Sequence, residues 1–243
     1  MAVSLKRPED TKSNREKKGG VEIFMRYVNQ YQHREAVSPE ELDRLLAEGW
    51  RHFGTTFFRY SLIEVEGKLR RVIPLRIRLG EFHLSKSQRR IRARNRDLDL
   101  RIGPTLISPT IESLFQQHKA RFADNIPDSI YDFLSEQPAT VPCRNHQLSL
   151  YLEDRLLAAS FLDLGATATS AVYAIFDPAE SRRSLGIELI LAGVEYARER
   201  GMVYYYPGYA YRGPSIYDYK KRFAGLEAYD WKGRWLSYRE EEE

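Results

Sequence analysis

The chain has 243 residues, 42% hydrophobic and 30% charged, enough for a sizeable core in one large domain or two small ones. No apolar run approaches the roughly 18–20 residues that span a bilayer, and residues 1–20 lack the apolar stretch of a secretory signal, so a cytoplasmic protein with no membrane partner is expected. Cys143 is the only cysteine, which excludes an intramolecular disulfide framework and any metal site built on several thiolates.

The formal charge of +4 is unevenly distributed. From Lys68 to Arg101 there are twelve Lys/Arg against three acids, a net of +9, so the remainder carries −5. Alternating apolar residues with this much positive charge make the segment a candidate surface for a polyanion, because neutralised phosphates release counterions.

Residues 1–20 are polar and nearly without large apolar groups, and are expected to form a disordered tail. Ser38-Pro39-Glu40-Glu41 supplies a cap, a first-turn proline and a capping-box acid for a helix running to about Glu48. Thr55–Val65 and Leu69–Leu79 have strand composition; in the second, alternation puts Arg76 and Arg78 opposite the core. Ser85–Asn95 is expected as a short basic helix, Asp97–Ile102 as a strand and Ser108–Phe122 as a helix, with Pro127–Ser135 continuing the helical layer.

Beyond residue 140 the pattern changes. Gln147–Glu153, Leu156–Leu164 and Thr169–Phe176 have the pattern of successive strands, Arg182–Arg200 of a long helix closed by Gly201, and Val203–Tyr209 of a further strand. A short helix over Pro214–Phe223 and a last strand over Leu226–Trp235 complete the order. Three antiparallel strands, a helix and a parallel crossover strand match the Gcn5-related N-acetyltransferase-like fold: α+β, with a mixed, mostly antiparallel sheet flanked by helices and an N-terminal α/β extension. The expected organisation is a tail at 1–20, an N-terminal domain carrying the basic segment at 21–140, and an acyltransferase-like domain at 141–239.

Three constellations bear chemistry. Asp177-Pro178 leads through Arg182-Arg183-Ser184-Leu185-Gly186-Ile187-Glu188 into the long helix, where a phosphate-binding turn would use glycine amides. Glu188 stands where a small residue is needed and would repel a pyrophosphate, which disfavours coenzyme A. The second is tyrosine-rich: Tyr204-Tyr205-Tyr206-Pro207-Gly208-Tyr209, then Tyr217-Asp218-Tyr219-Lys220. Alternate tyrosines face opposite sides of a strand, and Gly208 leaves room for a ligand. The third is Ser85-Lys86-Ser87-Gln88-Arg89-Arg90 with Arg76, whose guanidinium forks suit carboxylate or phosphate.

Together these stretches resemble the aminoacyl-tRNA-protein transferases, the arginyl- and leucyl-transferases of the N-degron pathway, from about Gly49 to Trp235. Carrying the resemblance are Gly49-Trp50-Arg51-His52-Phe53-Gly54, Pro74-Leu75-Arg76-Ile77, Ser85 to Arg90 with Asn95-Arg96-Asp97-Leu98, Tyr173 with Asp177-Pro178, Ser184-Leu185-Gly186, and Tyr206, Gly208-Tyr209 and Tyr219-Lys220 with Phe223. The family's N-terminal cysteine cluster has no counterpart at residues 23–31 or 61–71, so the resemblance implies no retained metal or redox cofactor. Pro207, Ala210-Tyr211 and Ile216-Tyr217 also depart from the family pattern.

The resemblance implies transfer of Arg or Leu from aminoacyl-tRNA, as co-substrate, to the N-terminal amine of proteins starting with Asp or Glu. The alternatives are a related transferase acting on a small molecule or peptide, and a binding-only tRNA-interacting descendant. It implies that Arg76, Gln88, Arg89 and Arg90 engage the acidic acceptor or the tRNA 3′ end. Ser184, with the Leu185 and Gly186 amides, would face the terminal adenosine or aminoacyl carbonyl. Tyr173, Tyr206 and Tyr209 would line the pocket beside Gly208, and Tyr219 and Lys220 would contact phosphate or the leaving oxygen. Of these, Tyr173, Ser184, Tyr219 and Lys220 are the candidate catalytic groups.

Overall fold

The computed structural model describes residues 27–238 apart from 66 and 124; the expected tail at 1–20 lies outside them. The described elements in chain order are β1 (Asn29–His33), α1 (Pro39–Ala47), β2 (Arg51–Phe53), β3 (Thr56–Tyr60), β4 (Leu62–Val65), β5 (Lys68–Arg78), α2 (Lys86–Arg94), β6 (Asp99–Pro104) and α3 (Pro109–Lys119). They continue with β7 (Asn145–Leu152), β8 (Arg155–Leu164), β9 (Ala168–Phe176), α4 (Leu185–Glu199), β10 (Tyr204–Tyr211), β11 (Leu226–Tyr229) and β12 (Trp235–Ser237).

Among the described residues there are two sheets. A three-stranded one has the order β1-β3-β2; the nine-stranded one runs β12-β11-β5-β10-β9-β8-β7-β6, with β4 paired to β5. Strands β7, β8 and β9 form an antiparallel meander, α4 crosses over, and β10 returns parallel to β9, the expected acyltransferase order. Strands β5 and β6, from the 21–140 segment, belong to the same sheet as the strands of 141–239.

Local sequence accounts for the helices. Ser38 caps α1 through the Glu41 amide, and Ser85 and Gln88 form a reciprocal capping box on α2. Helix α4 is apolar around most of its circumference because it lies across the sheet. Leu191, Val194 and Ala197 are buried in one cluster with Leu75, Ile77, Leu162 and Tyr205.

Several expectations are corrected. The stretch Thr55–Val65 is two strands, since the chain bends at Ser61, whose carbonyl accepts from the Val72 amide and whose amide donates to Val28. Pro127–Ser135 contributes only a 3₁₀ turn at Ile130–Asp132, and Pro214–Phe223 only one at Asp218–Lys221. In the second, Ser215 bonds both Asp218 carboxylate oxygens at 3.0 Å, a local ring that competes with helix propagation. Residues 182–183 belong to a 3₁₀ turn before α4, and the terminal strand is a β11–β12 hairpin. Arg76 does not face solvent: it is 8% exposed and ion-paired with Glu227 at 2.6 Å.

Close packing of α4 on β10 depends on Gly193, where a Cβ would fall 2.7 Å from the Tyr205 ring. Tyr205 is fully buried and cannot retreat. Gly193→Val should therefore lower the unfolding free energy by about 1–3 kcal/mol in a denaturant titration.

Candidate functional site

Strands β9 and β10 pair only over Ala168–Ser170 and Tyr204–Tyr206. Against β5, the register of β10 slips between Tyr205 and Gly208. Past Ser170 the two parallel strands no longer pair, and side chains from elsewhere enter the opening. Arg51, on β2, donates through Nη1 to the Ser170 hydroxyl and through Nη2 to the Ala171 carbonyl. Lys220 donates to the Tyr209 carbonyl at 3.4 Å. Both converge on Gly208: a Cβ there would lie 3.2 Å from Lys220 Nζ and 3.8 Å from Arg51 Nη2. With φ at +99°, position 208 needs glycine for its backbone as well as for this space.

Arg51 and Lys220 sit deep in the protein, yet each retains some solvent exposure, so they line a recess. Burial disfavours both charges. Lys220 is lowered to about 7, first by burial and then by the Arg51 charge. Among the described residues neither has a carboxylate in ion-pair contact; the acid that Arg51 senses is Asp163. The Tyr217 ring lies 5.0 Å from Lys220 Nζ. Tyr219 is raised to about 12 by burial and keeps its proton.

Just past α3, Arg121 completes the surroundings, its charge felt by Tyr173, Tyr217 and Tyr219. It stacks on Phe176 at 4.4 Å and donates to His118 Nε2 at 3.3 Å, while His118 Nδ1 faces the Phe176 carbonyl at 3.2 Å. The Phe176 amide donates to the same Nδ1 at 3.0 Å, so both ring nitrogens are engaged. His118 is lowered to about 4, by burial first and Arg121 second.

Behind Arg51 lies a buried polar network. His52 Nε2 and Asn145 Nδ2 each lie 2.8 Å from an oxygen of Asp163, and His52 Nδ1 lies 2.8 Å from the Gly54 carbonyl. Burial raises the Asp163 carboxyl, but His52, Asn145 and Arg51 outweigh it and hold it low. His52, Cys143 and Asp163 present potential metal-ligand atoms within 4.8 Å of one another. Hydrogen bonds already engage both His52 nitrogens and both Asp163 oxygens, and burial pushes the Cys143 thiol up, so these residues form a satisfied network rather than an open metal cage.

The predicted site residues divide. Gly208 and Lys220 are at the recess; Tyr219 packs against the core cluster under α4 and feels Tyr217 and Arg121, and Tyr173 has its ring stacked on Phe133 at 3.7 Å and its hydroxyl buried without a hydrogen-bond partner. Tyr206 and Tyr209 lie within the electrostatic reach of Arg51, but their rings are held in packing. Tyr206 packs against Trp235 and is raised to about 12, chiefly by burial, while Tyr209 packs against Phe58 and Tyr60 and donates to the Gly49 carbonyl at 2.6 Å.

Arg76 is committed to Glu227 and lies 3.9 Å from the Tyr204 ring centre, so an internal carboxylate holds the place proposed for a substrate acid. Gln88 is buried as a cap and bonds the Arg222 carbonyl at 3.1 Å; Arg89 and Arg90 are exposed on α2. Ser184 has φ +55° and no side-chain cap bond, while Leu185 and Gly186 open α4 and contribute its first amides. The expected repulsion by Glu188 is also corrected: its carboxylate is 3% exposed and bound to Arg92 at 2.7 Å. Arg51 and Arg121 are recess residues that sequence reasoning missed. The Gly49–Gly54 motif contained the signal for Arg51; Arg121 had none.

Two outcomes follow from this geometry. Gly208→Ala should cost about 1–3 kcal/mol in denaturant unfolding from the strained φ, and should lower turnover by displacing Lys220. For His118, the unfolded chain binds a proton near the ordinary 6.5 and the folded chain only near about 4. Stability is then lost as pH falls from 6.5 toward 4, and His118→Gln should show a shallower loss in thermal melts across that range.

Residues 112–230 match the family description "Arginine-tRNA-protein transferase, C terminus". An aspartate/glutamate leucyltransferase from Stenotrophomonas maltophilia is 31% identical over 201 residues, covering 79% of this chain and 78% of the relative. One from Xanthomonas axonopodis pv. citri is 34% identical over 176 residues, covering 68% and 70%. Among solved structures, L-PGS from Bacillus licheniformis is a partial likeness, with TM-score 0.44 and 13% identity over 66% of this chain and 62% of that one. With this identity sustained over most of both sequences, the chain belongs to the aminoacyl-tRNA-protein transferase family and is a transferase.

Proposed function

We propose that this protein transfers leucine from leucyl-tRNA to the α-amine of proteins whose first residue is Asp or Glu, and that it works in the cytoplasm, where charged tRNA is available. The observation that carries the reading is the cationic recess where β9 and β10 part, in a chain whose curated relatives are aspartate/glutamate leucyltransferases. Leucine rather than arginine is favoured by the names of those relatives. Aminoacyl-tRNA rather than coenzyme A is the donor.

The chemistry asks little of a general base. An α-amine has a pKa of about 7.7–8.0, so a useful fraction is neutral at physiological pH. It attacks the ester carbonyl, the carbon–oxygen bond to the terminal ribose breaks, and the proton lost by nitrogen is taken up by the leaving ribose oxygen. Most of the acceleration comes from holding amine and ester together in a recess with donors aimed at the tetrahedral oxygen. Tyr219 keeps its proton and is the hydroxyl that serves the leaving oxygen.

The tRNA body lies along α2. Arg92 is taken by Glu188 and Arg183 by Asp97, but Lys86, Arg89, Arg90 and Arg96 are exposed. Incubation with labelled leucyl- and arginyl-tRNA and peptides beginning Asp, Glu or Ala should label only the acidic peptides, and from leucyl-tRNA; transfer to none would end the reading. The Arg89→Ala, Arg90→Ala double variant should weaken tRNA binding and reduce its salt slope by about 1 for each phosphate no longer neutralised.

A further inference from the structure

Two cations share the floor of the recess with no acid between them among the described residues. Arg51 is fixed by the Ser170 hydroxyl and the Ala171 carbonyl, and Lys220 by a single 3.4 Å bond to the Tyr209 carbonyl. Both reach the side of Gly208 where a Cβ would stand. Arg76 and Arg78 are internally paired with Glu227, Arg92 with Glu188, Arg183 with Asp97, and Lys221 with Asp218, while Arg121 is held by the Phe176 ring and His118 without an acid. Withdrawing two like charges from water and setting them side by side is costly unless an anion arrives to compensate them.

We infer that Arg51 and Lys220 together seat the side-chain carboxylate of the acceptor's N-terminal Asp or Glu, and so set acceptor specificity. The inference rests on the leucyl-transfer reading above and names the residues that give it its acidic preference. A side-chain carboxylate suits the pair better than a tRNA phosphate, because both cations are largely buried and meet beside Gly208, whereas a polymer backbone needs an exposed surface. The exposed basic side chains of α2 provide a separate surface for a polymer backbone. An N-terminal Asn or Gln has the same shape without the charge and leaves both cations uncompensated. Arg76, the candidate suggested by the sequence, already has its acid in Glu227.

The test is equilibrium binding of peptides beginning Asp, Asn, Glu or Gln to the full chain, with leucine transfer measured in parallel. The wild-type protein should prefer Asp over Asn. In Lys220→Met, and in Lys220→Gln as a second variant should the first fail to fold, the Asp/Asn ratio should fall on the order of 100-fold. Lys220→Arg, which keeps a cation, should retain most of the preference. No preference in the wild-type protein, or an unchanged ratio in folded Lys220→Met, overturns the inference. So does loss of tRNA affinity at constant ratio, which would place a phosphate on the pair. Wild-type protein that binds Asp peptides selectively but transfers leucine to none would refute the activity and leave the carboxylate seat supported.

Discussion

The arrangement depends on the buried charge network that joins β2 to the central sheet. Asp163, on β8, is almost wholly shielded from solvent and is stabilised by His52, Asn145 and the nearby Arg51. Each nitrogen of His52 lies 2.8 Å from an oxygen, one of the Gly54 carbonyl and one of Asp163, so the ring is tied at both ends. Removing one member leaves a charge buried without its partner, a situation far more costly than the net worth of the pair. The network thereby fixes the short β2 strand against β8, and β2 in turn delivers Arg51 to the opening beyond Ser170. Packing of Phe58 and Tyr60 on Tyr209 and Tyr211 adds to this attachment of the three-stranded sheet to the acyltransferase core.

The same logic separates two uses of positive charge. The basic segment from Lys68 to Arg101 looks uniform in sequence, yet the fold consumes part of it. Arg76 and Arg78 clamp Glu227 across β5 and β11, and Arg92 holds Glu188 and Glu195 on α4. Asn95 bonds the Arg183 carbonyl at 2.9 Å, and Arg183 returns to Asp97, so the end of α2 braces the start of α4. What remains exposed on α2 is a smaller set of cations, turned outward where a polyanion can reach them. Meanwhile Glu188, which as an exposed acid would repel phosphate, is turned inward and neutralised.

The fold was largely legible because the signals were local. Ser38, Ser85 and Ser108 cap their helices, and β7 to β9 and the apolar α4 follow from short strand-like runs separated by turns and from helical periodicity. The errors occurred where a local bond or a distant partner overrode propensity: the Ser215–Asp218 ring shortened a helix, and the bend at Ser61 divided a strand. The site was only half legible. Gly208 and Lys220 came from an aromatic, glycine-broken stretch, but the tyrosines within it are distributed by strand alternation into separate packing clusters. Arg121 carried no sequence signal, since its neighbours Tyr173, Tyr217 and Tyr219 are far away in the chain.

By itself the sequence determined the order of elements, the basic segment and the family, because periodicity, capping and motif order are written along the chain. Only the tertiary structure decided which charges are free. Arg76 and Arg51 are both arginines within strands, and nothing in the sequence around either says whether an acid will meet it. The distinction is made by residues more than a hundred positions away: Glu227 stands opposite Arg76 on β11, whereas Arg51 meets a hydroxyl and a carbonyl at a gap between strands. An ion pair is a property of two positions in space, and pairing across a sheet is set by register rather than by composition.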